Sequence, residues 1–372
     1  MHVRPRTAQR VAMRRLQETN QETSEETRAL RTRFARAQVR ARACAVAPLC
    51  TGLFMSMLLA ACSTAWAGEV TQRDPTYVSF TLDNDFFAGY DHHYTNGVQF
   101  AFSADTLSLP ESVRSLPPLR WSADPHITFA IGQRIYTPTD KTSSHPDPLD
   151  RPYGGWLYGL ADVRVRTGAV VDSVQVSLGV IGPAALARET QNTYHELIGA
   201  DESHGWSAQI GNAPALLLGY ERAWPAWQHA RYGSVAFDFT PKVGATVGNV
   251  YTYTNAGGVL RFGHNLPDDF PVTDLSLGPP RDGYRASNGD FGWYVWVGTE
   301  ARLVGWNAFL DGNLSRDDPS VKRKPFGHDL QFGVTALWGR ARIGFTLVTR
   351  SKEFETQAGA DKFGQLTISL PI

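Results

Sequence analysis

The chain has 372 residues, a length that suits one large all-β domain or two domains of ordinary size. Its 36 basic residues balance 36 acidic ones, which excludes a protein that binds nucleic acid through a strongly basic surface. Charged residues reach only 19%, whereas 34 Gly, 10 Trp, 13 Tyr and 19 Phe favour strands, tight turns and interfacial aromatic rings over helices.

The N-terminal segment is predicted to be a leader. Residues 1–42 are polar and show no core-forming pattern, and an apolar run follows over about 43–66. Basic residues precede this run, and small residues around Ala67 form a cleavage site. The sequence therefore predicts an N-terminal extension and signal peptide over 1–67, and an exported domain over 68–372.

All three cysteines belong to the leader. They are Cys44, Cys50 and Cys62, and the exported part has none, which is consistent with an oxidising compartment. Thiolate nucleophiles and thiolate metal ligands are thereby excluded from that part. The 59–62 segment offers an alternative to cleavage after Ala67, because it matches a lipoprotein cleavage box in which Cys62 is lipidated.

A polar motif follows the first predicted strand. A strand pattern over 77–82 leads directly into Asp-Asn-Asp at 83–85, and a second strand pattern begins at Tyr94. Short polar side chains at the end of a strand suit a hard cation and a water molecule, while an Asx-type turn in a hairpin is the alternative explanation. The Asp-His-His segment at 91–93 is interpreted as a solvated hairpin tip.

Alternation of apolar with other residues dominates the exported part. Segments of about 10 residues separated by turns are typical of a transmembrane antiparallel β-barrel, and a soluble β-sandwich is the alternative. Candidate strands lie near 77–85, 94–104, 126–137, 156–168, 172–182, 214–224, 233–246, 249–263, 291–304, 306–314, 327–338, 339–351 and 362–371. Because single-chain bacterial barrels have an even number of strands, one of the thirteen must be removed, either 306–314 or an end segment. The residues predicted to form aromatic girdles are Trp156, Tyr158, Trp224, Trp227, Trp293, Trp296 and Trp306.

One segment interrupts the strands. Residues 183–199 begin with Pro183, contain good helix formers and end at Gly199, which predicts a short helix after the fifth strand. Gln191 and His195 are four residues apart and so share one face of this helix. We expect the helix to lie over the rim of the barrel or inside it.

Ordered motifs in the first half of the exported part resemble those of the lipid A 3-O-deacylase family of Gram-negative outer membranes. They are LDND at 82–85, YTNG at 94–97, YTP at 136–138, DRPYGGW at 150–156, GVIGP at 179–183, QNTYH at 191–195 and GWSAQ at 205–209. The resemblance implies an outer-membrane barrel of about twelve strands with a site among lumen-facing residues. It also implies a calcium-dependent ester hydrolase that removes the 3′-linked acyloxyacyl chain from lipid A, within lipopolysaccharide.

The same resemblance implies roles for individual residues. Asn84, Asp85, Thr95 and His195 fall on the family's catalytic positions. Asp201 falls where the family pattern has a glutamate, and with Asp85 it is a predicted Ca²⁺ ligand.

Substrate binding is predicted for three further residues, Lys141, Arg151 and Gln191. Lys141 is the cation nearest to the position of the family's basic pair. Arg151 would bind a lipid phosphate, or else form an ion pair with Asp150 inside the barrel.

The chemistry can be argued from the residue types. Ester hydrolysis near neutral pH needs a base beside a water molecule and a positive centre where the oxyanion forms. The chain has no Gly-x-Ser-x-Gly elbow, so His195 is the predicted base that takes a proton from water. Ca²⁺ prefers oxygen ligands, which Asp85 with Asn84 or Asp201 would supply, and it would polarise the ester carbonyl. Thr95 would orient the water or the carbonyl.

Two other functions remain compatible with the sequence. One is an outer-membrane phospholipase that uses a Ser-His pair. The other is a pore or structural barrel that has kept the family's shell without its activity.

Overall fold

The computed structural model describes residues 76–89, 93–104, 125–199, 201–267, 291–314 and 317–372. The predicted signal peptide and the alternative lipidation site at Cys62 lie outside these residues. Within the described residues, no helix has both the length and the apolar character needed to cross a membrane.

Thirteen strands form one antiparallel sheet, and twelve of them close into a barrel. The strands are β1 Tyr77–Asn84, β2 His93–Ala104, β3 His126–Thr137, β4 Gly154–Thr167, β5 Val170–Ile181, β6 Ala213–Ala223, β7 Gln228–Tyr232, β8 Val235–Gly248, β9 Tyr251–His264, β10 Gly292–Asn307, β11 Phe326–Trp338, β12 Ala341–Arg350 and β13 Asp361–Pro371. The barrel closes where β1 pairs with β13 and β6 pairs with β8, whereas the short β7 pairs with β8 and extends one hairpin. The predicted fold class is therefore confirmed.

The candidate strand at 306–314 was the one in excess. Its first residues complete β10, which ends at Asn307, and the chain then forms the short helix α2, Ala308–Asp311. The helix predicted after the fifth strand is α1, Ala187–Ile198. The side-chain oxygen of Asn307 accepts a hydrogen bond from the backbone N–H of Phe309 at 3.0 Å, and this N-cap ends the strand.

The two faces of the wall differ sharply in polarity. Side chains on the inward face include Glu300, Arg302 and Asp329, each at most 2% exposed. Arg302 donates to Asp329 at 2.5 Å and to Glu300 at 3.1 Å, and Arg350 donates to Asp329 at 2.9 Å. The outward face carries exposed Leu, Val, Ile and Phe side chains. This is the alternation that a lipid-facing barrel requires.

Aromatic residues were assigned to the wrong face at three positions. Trp156, Tyr158 and Trp296 were predicted in the girdles, but they are at most 5% exposed and pack on the inward face. Trp227 and Trp293 are 60% and 40% exposed, as girdle residues should be. Alternation gives the period of a strand but not which of its two faces meets lipid.

One end of the barrel carries the longer described loops. It bears the connections β1–β2, β3–β4, β5–β6, β10–β11 and β12–β13, and we call it the loop end. The opposite end has two-residue turns after β4 and β11, at Gly168 and Gly339, whose φ angles are 60° and 58°. The backbone N–H of Ile372 donates to the carbonyl of Thr76 at this opposite end.

Candidate active site

The Asp-Asn-Asp motif ends β1 at the loop end with an Asx turn. The Asn84 side-chain oxygen accepts from the backbone N–H of Phe86 at 2.8 Å and caps a 3₁₀ turn over Asp85–Ala88. The Asx-type turn, which was the alternative explanation for this motif, is therefore present. The turn buries Asp85 to 2% exposure.

Asn84 lies on the outward face of the wall. Its neighbour Asp83 points inward, because the Asp83 carboxylate accepts from Tyr94 at 2.5 Å and from Gln365 at 2.9 Å. Successive side chains of a strand point to opposite faces, which places Asn84 outside. The expectation of a lumen-facing site is thus wrong for this motif.

Thr95 occupies a β-bulge on the same face. The register between β2 and β3 shifts between Tyr94 and Asn96, so Thr95 is the extra residue. Bulges redirect side chains and are frequent beside active sites. The Thr95 hydroxyl is 2.7 Å from that of Thr137, the last residue of β3, and both are buried.

The β3–β4 loop brings Lys141 to Asp85. The Lys141 ammonium nitrogen is 3.7 Å from Asp85 Oδ2, and both side chains are less than 10% exposed. The Lys141 carbonyl accepts from the Tyr153 hydroxyl at 3.1 Å and from the backbone N–H of His204 at 3.0 Å. Burial raises the pKa of Tyr153 to about 12, so this hydroxyl stays a neutral donor near neutral pH. The predicted substrate-binding lysine is therefore held against the predicted metal-binding carboxylate.

Helix α1 packs on the outside of the wall rather than in the lumen. A Cβ on Gly154 would meet Phe309 and Ile210 of the interior cluster, whereas a Cβ on Gly155 would lie 2.4 Å from the Cβ of Ala187 at the start of α1. Ala187 also packs with Ile135, and Gln133 of β3 donates to the carbonyl of Ala185 at 2.6 Å. The absence of a side chain at Gly155 therefore allows the helix to approach the wall.

The face of α1 toward the wall carries both predicted polar residues. Ala187, Gln191 and His195 follow one another at intervals of four and are buried, while the residues between them are mostly exposed. Gln191 is 2% exposed, and neither its amide oxygen nor its amide nitrogen has a hydrogen-bond partner among the described residues. An amide buried in this way is available to a polar group of a ligand.

His195 is held by the segment that follows α1. Its Nδ1 is 2.5 Å from the carbonyl oxygen of Asp201, a pure acceptor, so Nδ1 carries the proton and donates. Nε2 is then the basic nitrogen. The Asp201 side chain is exposed, and its predicted role as a metal ligand stays a prediction. Three residues further on, the N–H of His204 bonds Lys141, so one short segment holds both the imidazole and the lysine.

Arg151 is separated from this group. It points into the barrel, where its guanidinium donates to Glu353 at 2.5 Å and lies over the ring of Tyr136 at 5.3 Å. Burial opposes its charge, but Glu353 and Asp361 raise the pKa of Arg151 above its ordinary value. The expected ion pair inside the barrel exists, with Glu353 instead of Asp150.

His93 was missed by the sequence analysis. It is 5% exposed, with Nδ1 at 2.7 Å from Asp361 and Nε2 at 3.0 Å from Asp150. The interpretation of 91–93 as a solvated hairpin tip is thus wrong for His93, while Asp91 and His92 lie outside the described residues. Its carboxylate partners come 57 and 268 residues later in the chain, so no local pattern could have identified them.

We use the name helix–wall site for Asp85, Thr95 and Lys141 at the wall together with Gln191 and His195 on the face of α1 that packs toward it. The oxygen atoms it offers to a cation are those of the Asp85 carboxylate and the Gln191 amide. Hard oxygen donors fit Ca²⁺. The described residues contain no group of three His, Cys, Asp or Glu side chains suited to a metal, and Lys141 adds positive charge nearby, so a cation here would be bound weakly.

Comparison with known proteins gives a match over most of the chain. The family model described as outer membrane protein LpxR matches residues 53–372. The solved structure of LpxR from Salmonella typhimurium is similar with a TM-score of 0.67 and 22% identity, covering 80% of this chain and 100% of that chain. The β domain of the Bordetella autotransporter BrkA has a TM-score of 0.41 and 9% identity, covering 81% and 100%. No curated protein matches the chain.

Proposed function

Because the chain belongs to the outer membrane protein LpxR family, a family of outer-membrane lipid A deacylases, we propose that it hydrolyses the ester holding the 3′-linked acyloxyacyl chain of lipid A. The single observation that carries the proposal is the arrangement of α1. It turns a buried imidazole with a fixed tautomer toward an outward-facing wall whose carboxylate and ammonium lie 3.7 Å apart.

The outward position of the site suits a lipid substrate. In outer-membrane barrels the end with short turns faces the periplasm and the longer loops face the exterior. The helix–wall site then lies at the level of the outer leaflet and opens toward the lipid side of the wall. An ester close to the headgroup of a membrane lipid would reach it without entering the barrel.

His195 is the general base in this proposal. Nε2 takes a proton from water, and the Nδ1–H···O=C bond to Asp201 keeps the ring oriented and stabilises the imidazolium that forms. The water then attacks the ester carbonyl, and the products are the free 3-acyloxy fatty acid and a lipid A hydroxyl. Thr95 orients the water, while the Gln191 amide binds a polar group next to the ester.

Lys141 supplies positive charge for the oxyanion, and a bound Ca²⁺ would add to it. Asp85 is the carboxylate that would hold the ion, with Asp201 as the second predicted ligand, and the bound ion would supply a charge that polarises the carbonyl. Asn84 shapes the turn that presents Asp85. Arg151 contributes to binding only through the loop that it anchors, since its guanidinium is directed into the barrel.

The test is the mass profile of lipid A treated with the purified barrel in detergent. The wild type should release the 3′-linked acyloxyacyl chain, and His195→Ala should lower the rate by about 10²- to 10⁴-fold. Chelation of Ca²⁺ should stop the wild type, with recovery at roughly 10⁻⁴ to 10⁻³ M free Ca²⁺, the range of weak sites.

His229→Ala is the matched control, because His229 is exposed on β7 at the opposite end. It should keep full activity. Phospholipid offered in parallel should stay intact. Release of phospholipid acyl chains with lipid A untouched would refute the assignment in favour of a phospholipase.

A further inference from the structure

A buried histidine at the loop end joins three elements of the barrel. His93 begins β2 with φ 60°, a left-handed conformation that is unusual for a residue other than glycine. Its Nδ1 bonds Asp361 of β13, and its Nε2 bonds Asp150 of the β3–β4 loop. We call these three residues the rim latch. The tight contacts and the left-handed backbone indicate that the surroundings hold His93 in place.

Asp150 closes the base of the β3–β4 loop. One of its carboxylate oxygens accepts from the backbone N–H of Thr139 at 2.7 Å, and the other accepts from the N–H of Arg151 at 2.7 Å. These bonds, together with that from His93, hold the pKa of Asp150 well below its ordinary value although burial opposes this. The Thr139 hydroxyl is also 3.2 Å from His93 Nε2. Both ends of the loop are therefore attached to the imidazole.

The latch is connected to the helix–wall site through a short stretch of chain. Lys141 follows Thr139 by two residues, and its ammonium faces Asp85. The Lys141 carbonyl is bonded to the N–H of His204, in the same segment whose Asp201 carbonyl orients His195. A movement at the base of the loop would first displace Lys141. It would then displace the segment whose Asp201 carbonyl orients the imidazole of His195.

The latch needs a protonated imidazole. Both ring nitrogens face carboxylate oxygens, and each contact is favourable only if that nitrogen carries a proton to donate. Among the described residues, the charged groups around His93 include Asp361 from β13, Asp150 and Arg151 from the β3–β4 loop, and Glu353 from the β12–β13 loop, which bonds Arg151 and interacts with Arg350. With a neutral ring, these three carboxylates would face two guanidinium groups. Loss of the proton would therefore leave the carboxylate of Asp150 or Asp361 facing the lone pair of a His93 ring nitrogen.

We propose that His93 is a positioning residue for the proposed deacylation, which holds Lys141 in the helix–wall site while its imidazolium bridges Asp150 and Asp361 and releases the loop when it loses a proton. The inference rests on the proposed function for its effect on activity. Deacylation should then fall on the alkaline side of the pH profile as the latch opens, while the acid side does not depend on the latch.

The test compares Asp361→Asn with the wild type over a pH series of lipid A deacylation. The asparagine can still accept from Nδ1 but carries no charge, so the imidazolium is less stabilised. We expect the alkaline limb to move toward lower pH by about 1 to 3 units, while the acid limb stays in place. Asp172→Asn is the control, because Asp172 pairs with Arg222 near the opposite end of the barrel. Both limbs of the pH profile of this variant should coincide with those of the wild type.

A second readout does not require activity. Lys141 is buried in the closed loop, so trypsin should cleave after it only when the latch opens. Cleavage, identified by mass spectrometry on barrels that remain heat-modifiable on a gel, should begin at lower pH in Asp361→Asn than in the wild type. Should Asp361→Asn not fold, Asp150→Asn serves in both assays with the same expected shift.

The outcomes are separable. Superimposable alkaline limbs and cleavage profiles in the variant and the wild type would overturn the latch. A wild type that releases no acyl chain at any pH would overturn the proposed function alone, and the trypsin profiles would then decide the latch by themselves.

Discussion

Gln191 is the residue on which the proposed substrate binding depends most directly. Its buried amide has no hydrogen-bond partner among the described residues, and such a group costs about 1 to 3 kcal/mol of stability. A polar group of a bound lipid would offset this cost. Its position one helical turn before His195 places that ligand beside the proposed base.

Replacement of Gln191 should separate stability from activity. Gln191→Leu removes the unsatisfied amide, so we expect the free energy of unfolding in detergent to rise by about 1 to 3 kcal/mol. At the same time kcat/KM for lipid A should fall by roughly tenfold, because a hydrogen bond to the substrate is lost. Urea titrations and initial rates measure the two effects.

Gln99→Leu is the matched control for this pair of effects. The Gln99 side chain accepts from the Tyr158 hydroxyl inside the barrel at 3.0 Å, so the same substitution should lower stability there. A Gln191→Leu variant that loses stability, or one that keeps full activity, would contradict the role assigned to the amide.

At the residue scale, the sequence predicted those candidate site residues that belong to short local motifs. Asp85, Thr95 and His195 were predicted from short motifs and their resemblance to a family, and Lys141 as the cation nearest to the family's basic pair; their roles stay predictions. Their outward direction was not found, because it depends on the face of each strand. His93 and the pairing of Arg151 with Glu353 were missed because closure of the barrel brings together residues that are far apart in sequence.

At the scale of elements, the distance between α1 and β4 determines where the imidazole lies. Gly155 is the contact point, since any Cβ there would lie 2.4 Å from Ala187. No rotamer change can relieve this contact, because both atoms are Cβ atoms. The helix itself must move outward.

Gly155→Ala should therefore lower activity without unfolding the barrel. We expect a rate loss of roughly 100-fold, because displacements of about 1 Å are enough to disturb catalytic geometry. Deacylation rates and heat-modifiability on a gel measure the two properties. Gly159→Ala is the control on the same face of β4, since a Cβ there would meet only backbone oxygens at 3.9 and 4.0 Å. Equal activity of the two variants would show that the helix–wall contact does not position His195.

The elements themselves were largely predictable. The alternating pattern gave the barrel strands, and the helix ends before Gly199 as predicted. Its start was predicted too early, because Pro183 begins a separate 3₁₀ turn, Pro183–Ala185, and the helix starts at Ala187. The short strand β7 was not predicted, and 306–314 was split between β10 and α2. In both places the pattern is too short to distinguish a strand from a turn.

At the scale of the whole molecule, ion pairs line the described part of the barrel interior. Besides the Arg302 and Arg350 contacts with Asp329, Lys242 bridges Glu221 and Glu300 at 3.1 Å each, and Arg261 pairs with Asp238 at 2.6 Å. These groups are buried except for Glu221, which is partly exposed, and they come from strands around the wall. These ion pairs connect strands across the barrel interior, the space that water fills in a pore.

The barrel should therefore not conduct ions. In planar bilayers we expect no steady open-channel current from the wild type, measured alongside a porin inserted under the same conditions. A stable ohmic conductance would favour the passive-pore function instead.

Asp329→Ala should leave two buried guanidinium groups without their main partner and lower stability by about 3 to 5 kcal/mol, with a visible shift in the urea midpoint.

The contact of His93 with Asp361 spans the seam between the first and the last strands of the barrel. The latch can form only after β13 has been laid against β1, the pairing that closes this seam of the cylinder. A precursor in transit through the periplasm would therefore carry every residue of the proposed centre and still lack its assembled form. The proposed activity would then begin only once the barrel has closed in the outer membrane.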